Sequence, residues 1–129
     1  MLDVVPKLVH IKPMKAQIKL SVVFFQTDSG NEPVREWLKY ELTSQERFII
    51  GRDIKILETS WPVGPPLVIS LGEGLWELRS NLDNKIARVL FIVHNNQIVL
   101  LQGFIKKSKK TPKREMDLAR KRKSLFKKG

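Results

Sequence analysis

The sequence predicts an α+β fold in which a helical hairpin packs on one face of a small sheet and a basic helix closes the chain. Three observations lead there. A β-branched and aromatic run comes first, two segments with apolar residues at helical spacing follow, and three strand-like runs separated by asparagine turns come after them. The 129 residues, 42% of them apolar, suit one core. The order of elements is therefore strand, helix, helix, three antiparallel strands, helix.

Each element has a local reason. Residues 1–16 carry two prolines and no periodicity and read as a poorly ordered extension ahead of a single domain over 17–126. Ile18 to Gln26 is the first strand, ended by the turn formers Asp28, Ser29, Gly30 and Asn31. Pro33 suits a first helical turn, and Val34, Trp37, Leu38 and Leu42 continue a stripe. Thr43 and Glu46 have the spacing of a capping box, which opens a second helix whose Ile50, Ile54 and Leu57 repeat until Trp61-Pro62. Val63 to Pro66 reads as a loop leading back to the sheet. Leu75 to Ser80, Lys85 to His94 and Gln97 to Ile105 form a meander through turns at Asn81–Asn84 and Asn95-Asn96. Thr111-Pro112 places a capping threonine before a proline and opens the last helix, about 111–126, whose apolar stripe of Met116, Ala119 and Phe126 is thin enough to predict weak docking.

Composition narrows the function. The absence of cysteine removes disulfides, thiolate metal sites and thiol nucleophiles, and fits a reducing cytoplasm. Apolar runs of about five residues are far below the roughly 20 that span a membrane. Asp3, Pro6, Lys7, His10, Lys12 and Pro13 interrupt any apolar block of a secretory signal. The net charge of +11 is concentrated at one end: residues 106–129 hold 12 basic residues against two acidic, or +10, which leaves +1 for the preceding 105. Such a block attracts a polyanion, whether nucleic acid, an anionic lipid surface or an acidic protein.

Strand alternation places Glu77 and Arg79 together, and Arg88 can meet Arg79 on the face away from the helix pair, expected to look at solvent or a ligand. Arg88 stands in the apolar run KIARVLFIV and wants an anion. Two partners fit: Glu77 in a structural ion pair, or a phosphate shared with Arg79 and the lysines, since guanidinium forks match phosphate oxygens. His94 is a candidate general base or a residue decorating a turn. Trp37, Trp61 and Trp76 suit core filling better than base stacking. No Gly-rich phosphate loop and no metal-spaced cluster is visible, so neither a cofactor nor a metal is expected.

The segments GLWELR (74–79), KIARVLFIV (85–93), GFIKKSKKTP (103–112) and LARKRK (118–123), in that order and spacing, resemble the phage-derived HigB-like branch of the RelE/ParE toxin superfamily. The resemblance covers roughly Ile18 to Lys123. It implies a RelE-like fold and a toxin of a type II toxin–antitoxin pair, neutralised by a helix-turn-helix antitoxin encoded nearby. It also implies metal-independent cleavage of mRNA, typically on the ribosome: the ribose 2′-hydroxyl attacks its own 3′-phosphate and cationic side chains stabilise the resulting charge. Arg88 matches the superfamily's phosphate-binding arginine, Arg79 the arginine of its ELR motif, and Lys106 and Lys107 its paired lysines, while Lys109, Lys110, Lys113, Arg114, Arg120 and Lys121 follow as cations for the RNA backbone. The chain departs from some relatives in having neither tyrosine nor histidine after Phe104, which leaves a lysine or His94 for proton transfer. The residues before Met14 lie outside the family pattern and fit an upstream start codon. Two other functions suit the same composition: a ParE-like gyrase inhibitor, and a non-enzymatic basic module that binds nucleic acid through its last helix.

Overall fold

The computed structural model describes residues 20–106 and 110–128. Eight elements follow in order: β1 (Ser21–Phe24), α1 (Pro33–Tyr40), α2 (Ser44–Ser60), β2 (Val68–Gly72), β3 (Leu75–Leu82), β4 (Lys85–His94), β5 (Gln97–Lys106) and α3 (Lys113–Lys128). The strands form one sheet in the order β1-β5-β4-β3-β2, antiparallel except for the parallel pairing of β1 with β5. This is the expected α+β class and is compatible with a RelE-like fold. The extension assigned to residues 1–16 and the lysines at 107 and 109 lie outside the described residues.

The hairpin of α1 and α2 forms for the expected reasons. Pro33 occupies the first turn of α1. Thr43 closes a reciprocal capping box, its backbone N–H donating to Glu46 Oε1 at 2.9 Å while its hydroxyl accepts from Glu46 N at 3.1 Å. Arg47 then reaches back to the carbonyls of Leu38, Lys39 and Leu42, satisfying acceptors that the end of α1 leaves open. The pair buries Val34, Trp37, Leu42, Ile50 and Leu57 against Leu78, Ala87, Val89, Phe91, Ile98 and Leu100 on one sheet face. Trp61 packs edge-on against Trp76 and Phe91, with ring centroids 5.2 and 5.6 Å apart, so the tryptophans fill core. Gly103 is where α1 meets β5, and a Cβ there would collide with the Trp37 ring.

Three features differ from expectation. β2 is an additional strand on the edge beyond β3, joined to it through Glu73 and Gly74, both with positive φ. The second sheet face is not open to solvent, because α3 lies across it over Phe25, Leu75, Leu90, Ile92, Val99, Leu101 and Phe104. Nor is α3 weakly docked. Ala119 is fully buried, a small side chain that lets the helix approach closely, and the thin apolar stripe is supplemented by cations. Arg120 donates to the Leu71 carbonyl and to Glu73 Oε1, both at 3.1 Å, and the Lys123 ammonium donates to the Glu73 carbonyl. On the other side Arg122 donates to the Leu101 carbonyl at 2.8 Å and Gln102 Oε1 at 2.7 Å, with its guanidinium over the Phe25 ring. These β5 acceptors sit at a register shift, where Leu90 faces Gln102 and Phe91 faces Leu100, leaving Leu101 as the extra residue of a bulge.

Gly103→Ala is expected to destabilise by about 1–3 kcal/mol through overpacking against Trp37. A urea titration checks this, and the double variant Gly103→Ala with Trp37→Leu should recover part of the loss.

Candidate functional site

Beneath the start of α3 the sheet carries a compact charged cluster. The register sets Arg79 of β3 opposite Arg88 of β4, with Glu77 two residues back on the same face. The Glu77 carboxylate is the hub. Its Oε1 accepts from Arg79 Nε at 2.7 Å, and its Oε2 accepts from the Thr111 hydroxyl at 2.6 Å and lies 3.7 Å from Arg88 Nη1. The Glu77 and Arg88 side chains are 0% exposed, whereas Arg79 is 27% exposed, so Arg79 is the member that reaches the surface. Burial pushes the Arg88 pKa down, Glu77 opposes that shift and Arg79 adds to it. Arg88 remains a cation, as guanidinium does in proteins.

Thr111 therefore has a different job from the helix cap expected of it. Its hydroxyl is turned into the sheet toward Glu77, and the first turn of α3 closes through the Pro112 carbonyl, which accepts from the N–H groups of Glu115 and Met116. A hydroxyl donating to a buried carboxylate makes a stronger bond than one capping an exposed turn. Nothing in the Thr-Pro dipeptide distinguishes the two uses, since the acceptor lies 34 residues away in sequence.

The expected site residues separate into groups. Lys106 is exposed at the end of β5, opposite Ile86, on the same face as Phe104, which is itself opposite Arg88. It thus belongs to the arginine neighbourhood. His94 does not: six residues of strand separate it from Arg88, roughly 20 Å at strand rise. Its ring instead meets Phe126 edge-on at 5.9 Å, near the C-terminal end of α3, and approaches the Asn95 amide. Arg120, expected to hold RNA, is occupied in docking α3. Lys113 pairs with Asp117 at 2.8 Å, which holds its ammonium pKa above the ordinary value, and Arg114 lies 3.7 Å from Glu115. Lys110 and Lys121 are exposed.

The arrangement is a sheet face with one partly exposed guanidinium, buttressed by a buried carboxylate and a second guanidinium, at the lysine-bearing end of β5. Residues 36–124 match the family of phage derived proteins described as Gp49-like (DUF891), more than two thirds of the chain, and the chain belongs to that family. The match runs from α1 into α3 and takes in the whole arginine cluster. The family is associated with toxin–antitoxin systems. Among curated proteins no match to the chain is found.

Removing Glu77 takes the carboxylate from between two guanidinium groups, so Glu77→Ala should cost about 3–5 kcal/mol of stability, and Arg88→Ala should cost less, because Arg79 and Thr111 still hold the carboxylate. The double variant Glu77→Ala with Arg88→Ala should lose less than the two single losses combined. Urea midpoints of the four proteins measure this coupling.

Proposed function

We propose that the protein is the toxin of a type II toxin–antitoxin pair of the HigB/RelE kind, a metal-independent endoribonuclease that cuts mRNA on the ribosome. The observation that supports it most is Arg79, a partly exposed guanidinium fixed at 2.7 Å by a buried carboxylate, on the same sheet face as Lys106. In the cleavage step the ribose 2′-oxygen forms a bond to the adjacent phosphorus and the bond from phosphorus to the 5′-oxygen breaks. The 2′-hydroxyl proton passes to a base or solvent, and a proton is delivered to the departing 5′-oxygen, leaving a 2′,3′-cyclic phosphate and a 5′-hydroxyl. Negative charge accumulates on the non-bridging oxygens in between, and cations held in place beforehand stabilise it without reorganising.

Arg79 and Lys106 are the contacts to that phosphate, with Lys107 next in sequence. Arg88 acts through Glu77 as a positioning residue, holding the carboxylate that orients Arg79. A lysine of this group serves for proton transfer better than His94, which lies at the other end of β4. The antitoxin in this reading is a helix-turn-helix protein encoded beside the toxin, and its co-expression should restore growth.

Induction of the protein alone should arrest bacterial growth and produce new transcript 5′ ends by primer extension. Intact transcripts with inhibited DNA supercoiling would replace this reading with gyrase inhibition. Arg79→Ala should lower cleavage by roughly 10², about 3 kcal/mol of transition-state stabilisation, and also lower the melting temperature because it removes the 2.7 Å partner of buried Glu77, whereas Arg79→Lys, which keeps the cation, should melt closer to the unsubstituted protein and recover part of the rate. Arg88→Ala should lose cleavage together with stability. EDTA should leave the rate intact; loss restored by a divalent ion, with ribosomes kept intact, would overturn the mechanism.

A further inference from the structure

A second concave surface lies at the opposite end of α3. It is a groove of about 1130 Å³ between β1, the turn after it, and the C-terminal half of the helix. Val23 and Phe25 line its sheet side, and Leu118, Leu125 and Phe126 its helix side, Leu125 being 48% exposed. Lys121, Arg122 and Lys127 are the cations along it, against the single carboxylate of Asp28. The His94 ring closes one end, set at 86° to Phe126, beside the amides of Asn95 and Gln97.

We propose that this groove binds an unpaired nucleotide of single-stranded RNA, as a second contact on the substrate strand roughly 20 Å from the arginine cluster. The proposal rests on the ribonuclease reading above and extends it. Each part of a nucleotide has a counterpart. An apolar wall with a partly exposed aromatic ring takes the flat face of a base. The amides of Asn95, Gln97 and Gln26 offer donors and acceptors together, which base edges require. Lys121 and Lys127 are exposed and supply the phosphate contacts, whereas Arg122 is committed to β5. An acidic peptide would use the lysines and the amides but has no flat base to lay against the Phe126 and His94 rings, so RNA is the better match. The α3 axis, 16 residues or about 24 Å long, joins the two sites and sets the span that the strand must cover.

The test is fluorescence anisotropy of the full chain with a 5′-labelled 2′-O-methyl tetranucleotide, which binds without being cut, over a range of salt. Lys121→Met with Lys127→Met should weaken binding about tenfold and make the log–log salt dependence shallower by about 1.4, at unchanged melting temperature. In a parallel NMR titration of the unsubstituted protein the ring protons of Phe126 and His94 should shift. Affinity within about twofold and unmoved rings overturn the groove. If cleavage in cells persists in that case, the ribonuclease reading stands without it. A chain that neither binds the tetranucleotide nor cuts mRNA overturns both. Ring shifts with an acidic peptide and none with the tetranucleotide would assign the groove to a protein partner and overturn the proposal.

Discussion

The Glu77 carboxylate is the constraint on which the rest of this molecule depends. It is fully buried, and a buried carboxylate is tolerated only when its lone pairs and charge are matched. Here the matching groups come from three places: Arg79 on its own strand, Arg88 on the next strand, and Thr111 at the entry to the last helix. One side chain thus fixes the β3–β4 register on that face and the point at which the chain leaves the sheet for α3. A one-residue slip of β3 would carry Glu77 into the apolar layer under α1 and α2, leave Arg88 uncompensated on the other side, and misplace Leu78 as well. Polar specificity and apolar packing therefore select the same register.

The same economy appears in α3. Its net charge would make it a poor candidate for packing, yet Arg120, Arg122 and Lys123 turn that charge into attachment by donating to backbone carbonyls of the irregular end of β2, of the β5 bulge and of the β2–β3 turn. These acceptors exist because the sheet is irregular there: a turn with positive φ at Glu73 and Gly74, and a bulge at Leu101. Irregular backbone exposes carbonyls that a regular ladder would have satisfied internally. The arginine stems meanwhile cover apolar surface, as Arg122 does over Phe25.

How much of this could be read from residues alone follows from the range of the interaction responsible. The capping box of α2, the proline start of α1 and the hairpins of the meander depend on residues two to four apart, and all are present, although the first hairpin turns at Asp83-Asn84 because β3 runs on through Asn81 and Leu82. Alternation also put Arg79 and Arg88 on one face, but a turn over Asn81–Asn84 would have set Arg88 opposite Glu77, and it is the tighter turn after Leu82 that sets Arg79 opposite Arg88. What was not legible is long-range. Val68–Gly72 is too short and too close to Pro65-Pro66 to announce a strand, although Glu73-Gly74 between two apolar runs was a usable hairpin signal. The coverage of the second face by α3 leaves little trace in the apolar pattern, because docking here is largely by cations on carbonyls. The separation of His94 from the arginines was implicit in strand rise.

These points change what a basic C-terminal segment means. Had all the cations of α3 pointed outward, the helix would be a mobile electrostatic arm, and affinity for any polyanion would follow its charge. Instead the helix is anchored on both sides, and the cations that remain exposed are held at fixed distances from the sheet. Fixed charge discriminates where mobile charge only attracts, because a flexible strand must present phosphates at matching intervals to engage them together. The arginines turned inward from the outer face of α3 are what make that face rigid.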